Sequence, residues 1–162
     1  VASLTREQEQ STEATVKEVI RRLRSYQTVD GSFSYWPGGT APNAWGTVYA
    51  IHFLLEAEKK GYLVPEGMKR NALNDLSRIA RNWKPEASYS AESEEMTQAY
   101  RLFVLALGQV AEVGAMNRLK ESKTFMSMSR YLLAAGYALV GRPDVSKELV
   151  VKTTALTTAC SG

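Results

Sequence analysis

The chain holds one cysteine, Cys160, and one histidine, His52, in 162 residues. A single cysteine excludes an internal disulfide, and one Cys with one His cannot assemble a zinc site of the usual Cys/His type. There is no Asp-rich metal motif, so neither a metal nor another cofactor is expected. No apolar stretch approaches the roughly 20 residues needed to span a bilayer. The polar run from Ser3 to Thr15 is not a signal peptide, so membrane attachment would require an anchor elsewhere in a longer protein. The net charge is only +3. Arg21, Arg22 and Arg24 follow Glu13 and Glu18, the interleaving of solvated helix faces. A nucleic-acid partner would need cations gathered on one stripe between exposed aromatics, and none is expected.

What is present is the balance of a globular domain, with 44% apolar and 23% charged residues. That length suffices for one domain with a real core, and a single helical domain is expected over 1–162. Val16, Val19, Ile20 and Leu23 form the i, i+3, i+4, i+7 stripe of an amphipathic helix from about Thr5 to Tyr26. A long loop follows, rich in aromatics, with turn signals at Asp30-Gly31 and Pro37-Gly38-Gly39. A second helix, about Ala44 to Lys60, leaves almost no polar face and should be buried nearly all round. Gly61 closes it. Pro65 and Glu66 open a third, with Leu73, Leu76, Ile79 and Ala80 on one face.

Beyond Trp83-Lys84-Pro85, a fourth helix is expected from about Glu94 to Val113, capped by Ser93 and ended by Gly114. A short helix over Ala115 to Glu121 and an apolar one from about Thr124 to Val140 come next. Gly141-Arg142-Pro143 breaks the chain, Asp144 caps a last amphipathic helix, and residues 153–162 read as a weakly ordered tail. No period-2 pattern competes, so the fold class is all-α, with about six to seven helices. Amphipathic helices alternate with nearly apolar ones. Thr47-Val48-Tyr49-Ala50, Gln98-Ala99-Tyr100-Arg101 and Met128-Ser129-Arg130-Tyr131 each lead into a Leu/Ala-rich run, as weak repeats of a helical hairpin. An inner ring inside a half-solvated outer ring explains the alternation, which is the layout of an α/α toroid. A solenoid of tetratricopeptide-like hairpins is the competing arrangement.

The stretch from Tyr26 through Asp30-Gly31-Ser32-Phe33-Ser34-Tyr35-Trp36-Pro37-Gly38-Gly39 resembles a hallmark of bacterial alpha-2-macroglobulins, "DGGFSxWPG". The resemblance continues through Trp45-Gly46-Thr47-Val48-Tyr49-Ala50, Phe53-Leu54-Leu55-Glu56-Ala57 and Gly61-Tyr62. It resumes at Gln98 to Leu107, at Met116 to Glu121 and at Leu132 to Gly141, and so covers roughly residues 16 to 150. It implies a fragment of the thioester domain, a toroid of the terpenoid-cyclase type. In that family a Gly-Cys-x-Glu-Gln segment forms an internal thioester, exposed when a protease cleaves a bait region, and the protease is captured covalently. Target proteases and neighbouring macroglobulin domains would be the partners, acting in a larger periplasmic or cell-surface protein. The segment itself would be a non-catalytic scaffold.

This sequence has no Cys-x-Glu-Gln, since Cys160 is followed by Ser161-Gly162, and the fragment alone should form no thioester. Tyr35, Trp36 and Trp45 then carry two readings. Either they plug the end of the helical barrel, or they shield a reactive site or meet a neighbouring domain. His52 is the one candidate acyl acceptor or base. Without a partner motif it reads as a satisfied core histidine. Glu92, Glu94 and Glu95 read as first-turn helix acids rather than paired catalytic carboxylates, and Met126 and Met128 as fillers of core or interface gaps. An α/α-toroid enzyme, a cyclase or a polysaccharide-degrading one, is the alternative. It would need a mouth lined by carboxylates, which the sequence does not show.

Overall fold

The computed structural model describes residues 5–85, 90–122 and 127–159. They form seven α-helices: α1 Arg6–Leu23, α2 Ala44–Lys59, α3 Glu66–Asn82, α4 Ala91–Leu107, α5 Val113–Lys120, α6 Ser127–Leu139 and α7 Pro143–Ala159. A single 3-10 turn, Arg24–Tyr26, extends α1. Among the described residues no strand forms; two isolated antiparallel bridges are the only extended pairing. The fold is therefore all-α, as its periodicity requires. The single domain expected over the chain is divided by its contacts into two compact units, Val1–Ala72 and Leu73–Gly162.

In the first unit, α1 begins with a capping box. The Gln8 N–H donates to Thr5 Oγ1 at 3.3 Å, and the Thr5 N–H donates to Gln8 Oε1 at 2.9 Å. Its outer surface carries ion pairs at helical spacing, Lys17 with Glu13 and both Arg21 and Arg22 with Glu18. The two guanidiniums hold the Glu18 carboxyl down at about 2. These exposed pairs add little stability. Helix α2 supplies the core, burying Val48, Ile51 and Leu54 completely. Contrary to the expectation of a helix buried all round, its opposite face is open, with Tyr49 65% and Trp45 49% exposed. Lys69, near the start of α3, pairs with Glu58 at 2.8 Å and with Glu66 at 3.0 Å.

The second unit packs α6 between α4 and α7, with α5 against α4 and α6. Leu102, Leu105, Met116, Leu119, Leu133 and Tyr137 are among its fully buried side chains. Gly136 lets α6 approach α4 closely, since a Cβ there would stand 3.2 Å from Met116 Cε and 3.7 Å from Phe103 Cα. The buried Tyr137 hydroxyl donates to Asn117 Oδ1 at 2.6 Å. Arg101 is 5% exposed. Burial pushes its guanidinium down to about 10, partly offset by Asp75. Its Nη1 donates to Gln98 Oε1, while its Nε and the hydroxyl of Ser129 are buried without a partner.

The helix limits depart from expectation at α4. It starts at Ala91, after Ser90 rather than Ser93, and stops at Leu107, while Gly114 lies in the first turn of α5. Gly108 is the C-cap of α4, and the residue after it makes the terminating turn. Gln109 adopts the left-handed conformation (φ 61°). Its N–H donates to Ala106 O at 3.1 Å and the Val110 N–H to Leu105 O at 2.9 Å. The same paired bonds close α2 around Gly61 and α6 around Gly141. The last helix continues to Ala159, so residues 153–159, expected within a weakly ordered tail, are helical. Cys160 and Met126 lie outside the described residues.

Because a side chain in the left-handed region costs roughly 1 kcal/mol relative to glycine, Gln109→Gly is expected to stabilise the chain by up to about 1 kcal/mol. Chemical denaturation followed by circular dichroism checks this, and a destabilised variant would contradict it.

Candidate functional site

The segment from Gln27 to Asn43 has no regular secondary structure, yet its backbone is tied down almost throughout. A turn closes at Thr28, where the Gly31 N–H donates to Thr28 O at 3.0 Å and the Thr28 N–H donates to Ser32 O at 2.8 Å. Gln27 Nε2 donates to Gly31 O at 3.1 Å and to Met68 O at 2.9 Å, stitching the turn to the start of α3. Gly31 is obligatory here. Its φ is 108°, and a Cβ would sit 2.3 Å from Asn71 O.

The next residue pair fixes the loop to α2. The Phe33 N–H donates to Thr47 Oγ1 at 2.9 Å, and the same hydroxyl donates to Phe33 O at 3.1 Å. One threonine thus satisfies both backbone groups of a residue whose ring is 2% exposed. Ser34 continues the frame. Its N–H donates to Tyr26 O at 2.8 Å, and its hydroxyl lies 2.6 Å from Trp36 O and 3.0 Å from Tyr26 O. The Asn43 N–H then donates to Phe33 O at 2.8 Å, and Asn43 Oδ1 caps α2 by accepting from the Gly46 N–H at 2.6 Å.

This frame holds Tyr35 and Trp36 outward. Their rings meet edge to face, 4.8 Å apart at 81°, and the side chains are 67% and 69% exposed. On α2, Trp45 and Tyr49 stand one turn apart, and at 3.6 residues per turn His52 and Glu56 share their face. His52 and Glu56 are half-buried. A groove of about 430 Å³ lies between the two sets, lined by Leu23, Tyr26, Phe33, Tyr35, Trp45 and Ala50 among others. Tyr35, Trp36, Trp45 and Tyr49 give this unit an exposed aromatic surface.

The sequence pointed to Tyr35, Trp36 and Trp45, and the structure places Trp45 and Tyr35 on one groove with Trp36 stacked behind. It missed Tyr49, read as buried with the rest of α2. The i, i+4 spacing from Trp45 was the signal for it. His52 is not sealed in a core; it borders the aromatic face and is held by an interaction. Among the described residues no cluster of His, Cys, Asp and Glu could hold a metal ion, and no helix is long and apolar enough to cross a membrane.

No family model matches the chain. Its sequence is 29% identical over 138 residues to the alpha-2-macroglobulin of Escherichia coli, covering 83% of this chain and 8% of that protein. Against the alpha-2-macroglobulin of Xylella fastidiosa it is 32% identical over 113 residues, covering 68% of the chain and 7% of the relative. The chain thus spans less than a tenth of the length of these relatives. Its fold is similar to native Escherichia coli alpha-2-macroglobulin from domain MG7 to the C-terminus, with a TM-score of 0.80, 22% identity, and 93% of this chain against 24% of that one. The trypsin-activated form of the Escherichia coli protein gives a TM-score of 0.79 at 23% identity, over 94% of this chain and 11% of that one. These likenesses show the fold, an all-α toroid-like fragment.

The loop frame and the aromatic face should respond differently to substitution. Thr47→Val removes both bonds to Phe33 and leaves its buried N–H unpaired, while Phe33 O keeps the Asn43 N–H, at a cost of about 1–3 kcal/mol. Gly31→Ala, strained and overlapping Asn71 O, should cost at least as much. Tyr49→Ser should stay within about 0.5 kcal/mol of the parent sequence, as exposed positions do. Urea titrations check all three, and a large loss at Tyr49 would mean its ring is part of the packing.

Proposed function

Because this chain belongs to the bacterial alpha-2-macroglobulin family, we propose that it is a non-catalytic helical scaffold from the thioester domain of a larger, exported protease-trapping protein. The observation that carries this beyond the family likeness is the aromatic face of Tyr35, Trp36, Trp45 and Tyr49. It is exposed here on a rigid frame that serves no packing purpose within its own unit. In the parent protein a neighbouring macroglobulin domain covers it, or it borders and shields the reactive centre. A thioester reacts with water as well as with amines, so a protein that stores one must keep it dry until a protease arrives. Rigid aromatics suit that task, because they exclude water over a large area and lose little side-chain freedom when covered.

The chemistry available to the segment limits its role. With no Cys-x-Glu-Gln and a single histidine in the sequence, it offers no acyl electrophile of the family's kind. It therefore acts by presenting surfaces. The Escherichia coli relative is activated by trypsin and by porcine elastase, which supports proteases of that kind as the targets of the parent protein. Any attachment to a membrane comes from an anchor elsewhere in the parent.

Incubation with trypsin or elastase separates the roles of segment and parent. The parent protein is expected to retain protease through gel filtration, and the isolated segment to retain none and to incorporate no methylamine. A parent that leaves both proteases free overturns the trapping role. Covalent adducts on the isolated segment overturn its assignment as a scaffold.

A further inference from the structure

A second cleft, of about 270 Å³, lies in the Leu73–Gly162 unit between the end of α3 and helix α5, lined by Arg81, Trp83, Lys84, Pro85, Gln98 and Arg118 among others. A helix C-terminus ordinarily presents open carbonyls and partial negative charge. Here those carbonyls are taken. Ile79 O accepts from the Trp83 N–H at 3.0 Å, Ala80 O from Gln98 Nε2 at 3.0 Å, and Arg81 O from Arg118 Nη2 at 2.8 Å. Three cationic side chains, Arg81, Lys84 and Arg118, remain exposed around the rim. The carboxylate recorded against them is Glu112, 3.6 Å from Arg81 Nη1, and it also accepts the Ser77 hydroxyl. Gln98, 1% exposed, forms part of the wall and is bonded on its inner side to the buried guanidinium of Arg101. Positive charge therefore stands both around the cleft and behind it.

We propose that this cleft binds an acidic peptide segment, with Arg81, Lys84 and Arg118 pairing to an Asp or Glu carboxylate while Trp83 and Pro85 pack the apolar side chain beside it. The volume is below the usual range for a cofactor or drug-sized ligand, and it suits one or two side chains. Guanidiniums at the rim match a carboxylate in two-pronged geometry. The half-buried indole and the proline ring favour a peptide over a free inorganic anion, which has nothing to set against them.

The experiment is a titration of the 162-residue chain with the capped peptide Glu-Leu-Glu-Leu-Glu, following the Trp83 indole N–H by NMR, assigned with Trp83→Phe. A saturable shift is expected, weakening as salt is raised because exposed charges are screened within about 10 Å at 0.1 M. The charge reversal Arg81→Glu/Lys84→Glu should weaken it by roughly tenfold or more. Lys84→Glu alone, which breaks no recorded hydrogen bond, should weaken it by a smaller factor. Circular dichroism melts confirm that the variants stay folded. No shift at Trp83, binding undiminished by the reversal, or inorganic phosphate alone binding as tightly as the peptide would each overturn the assignment.

Discussion

One hydroxyl organises the part of the molecule that faces outward. Thr47 Oγ1 both accepts from and donates to the backbone of Phe33, and a long loop is thereby held to the buried face of α2. Backbone groups removed from water must find partners. A loop without strands has few ways to provide them. Here Thr47, Ser34 and Gln27 supply them from side chains, and Gly31 removes a Cβ that would collide with Asn71 O. With Phe33 anchored inward, the residues that follow it have one direction left, and Tyr35 and Trp36 stand in solvent.

The second unit solves a different problem. Its inner helices carry polar groups in the core: Asp75, Glu95, Gln98, Arg101 and Ser129 are all buried. Burying a guanidinium is costly, and Arg101 is satisfied only in part. The chain nevertheless keeps it behind a wall residue of the cationic cleft. The carboxylate of Asp75, also buried, offsets part of that cost. Three helices, α2, α4 and α6, end in the same pair of hydrogen bonds, which gives the hairpin repeat a common joint despite weak sequence similarity between its copies.

Much of this was legible in the residues. Helix spacing, the closing glycines Gly61 and Gly141, and the Asp30-Gly31 turn placed most of the elements within a few residues, and the loop motif gave the family. Two features were hidden. Gln109 ends α4 in a conformation usually given to glycine, and Gly108, the C-cap just before it, was passed over in favour of Gly114. The burial of α2 was overread, because an apolar composition does not distinguish a helix enclosed on all sides from one whose outer aromatics await another surface. Tyr49 and Trp45 are apolar enough for a core, and only the fold shows them 65% and 49% exposed. The cationic cleft was illegible for a third reason: Arg118 is far in the chain from Arg81 and Lys84, and all three look like ordinary solvated charges until α3 and α5 are placed.

The central claim is that the aromatic face is covered in the parent protein. Hydroxyl-radical footprinting read by mass spectrometry reports side-chain exposure at Tyr35, Trp36, Trp45 and Tyr49 separately, in the isolated segment and in the whole parent before protease is added. The account predicts ready oxidation of all four in the segment and strong protection of the same four in the parent. Equal oxidation in both would contradict it, and would leave the face as bare surface in the assembled protein.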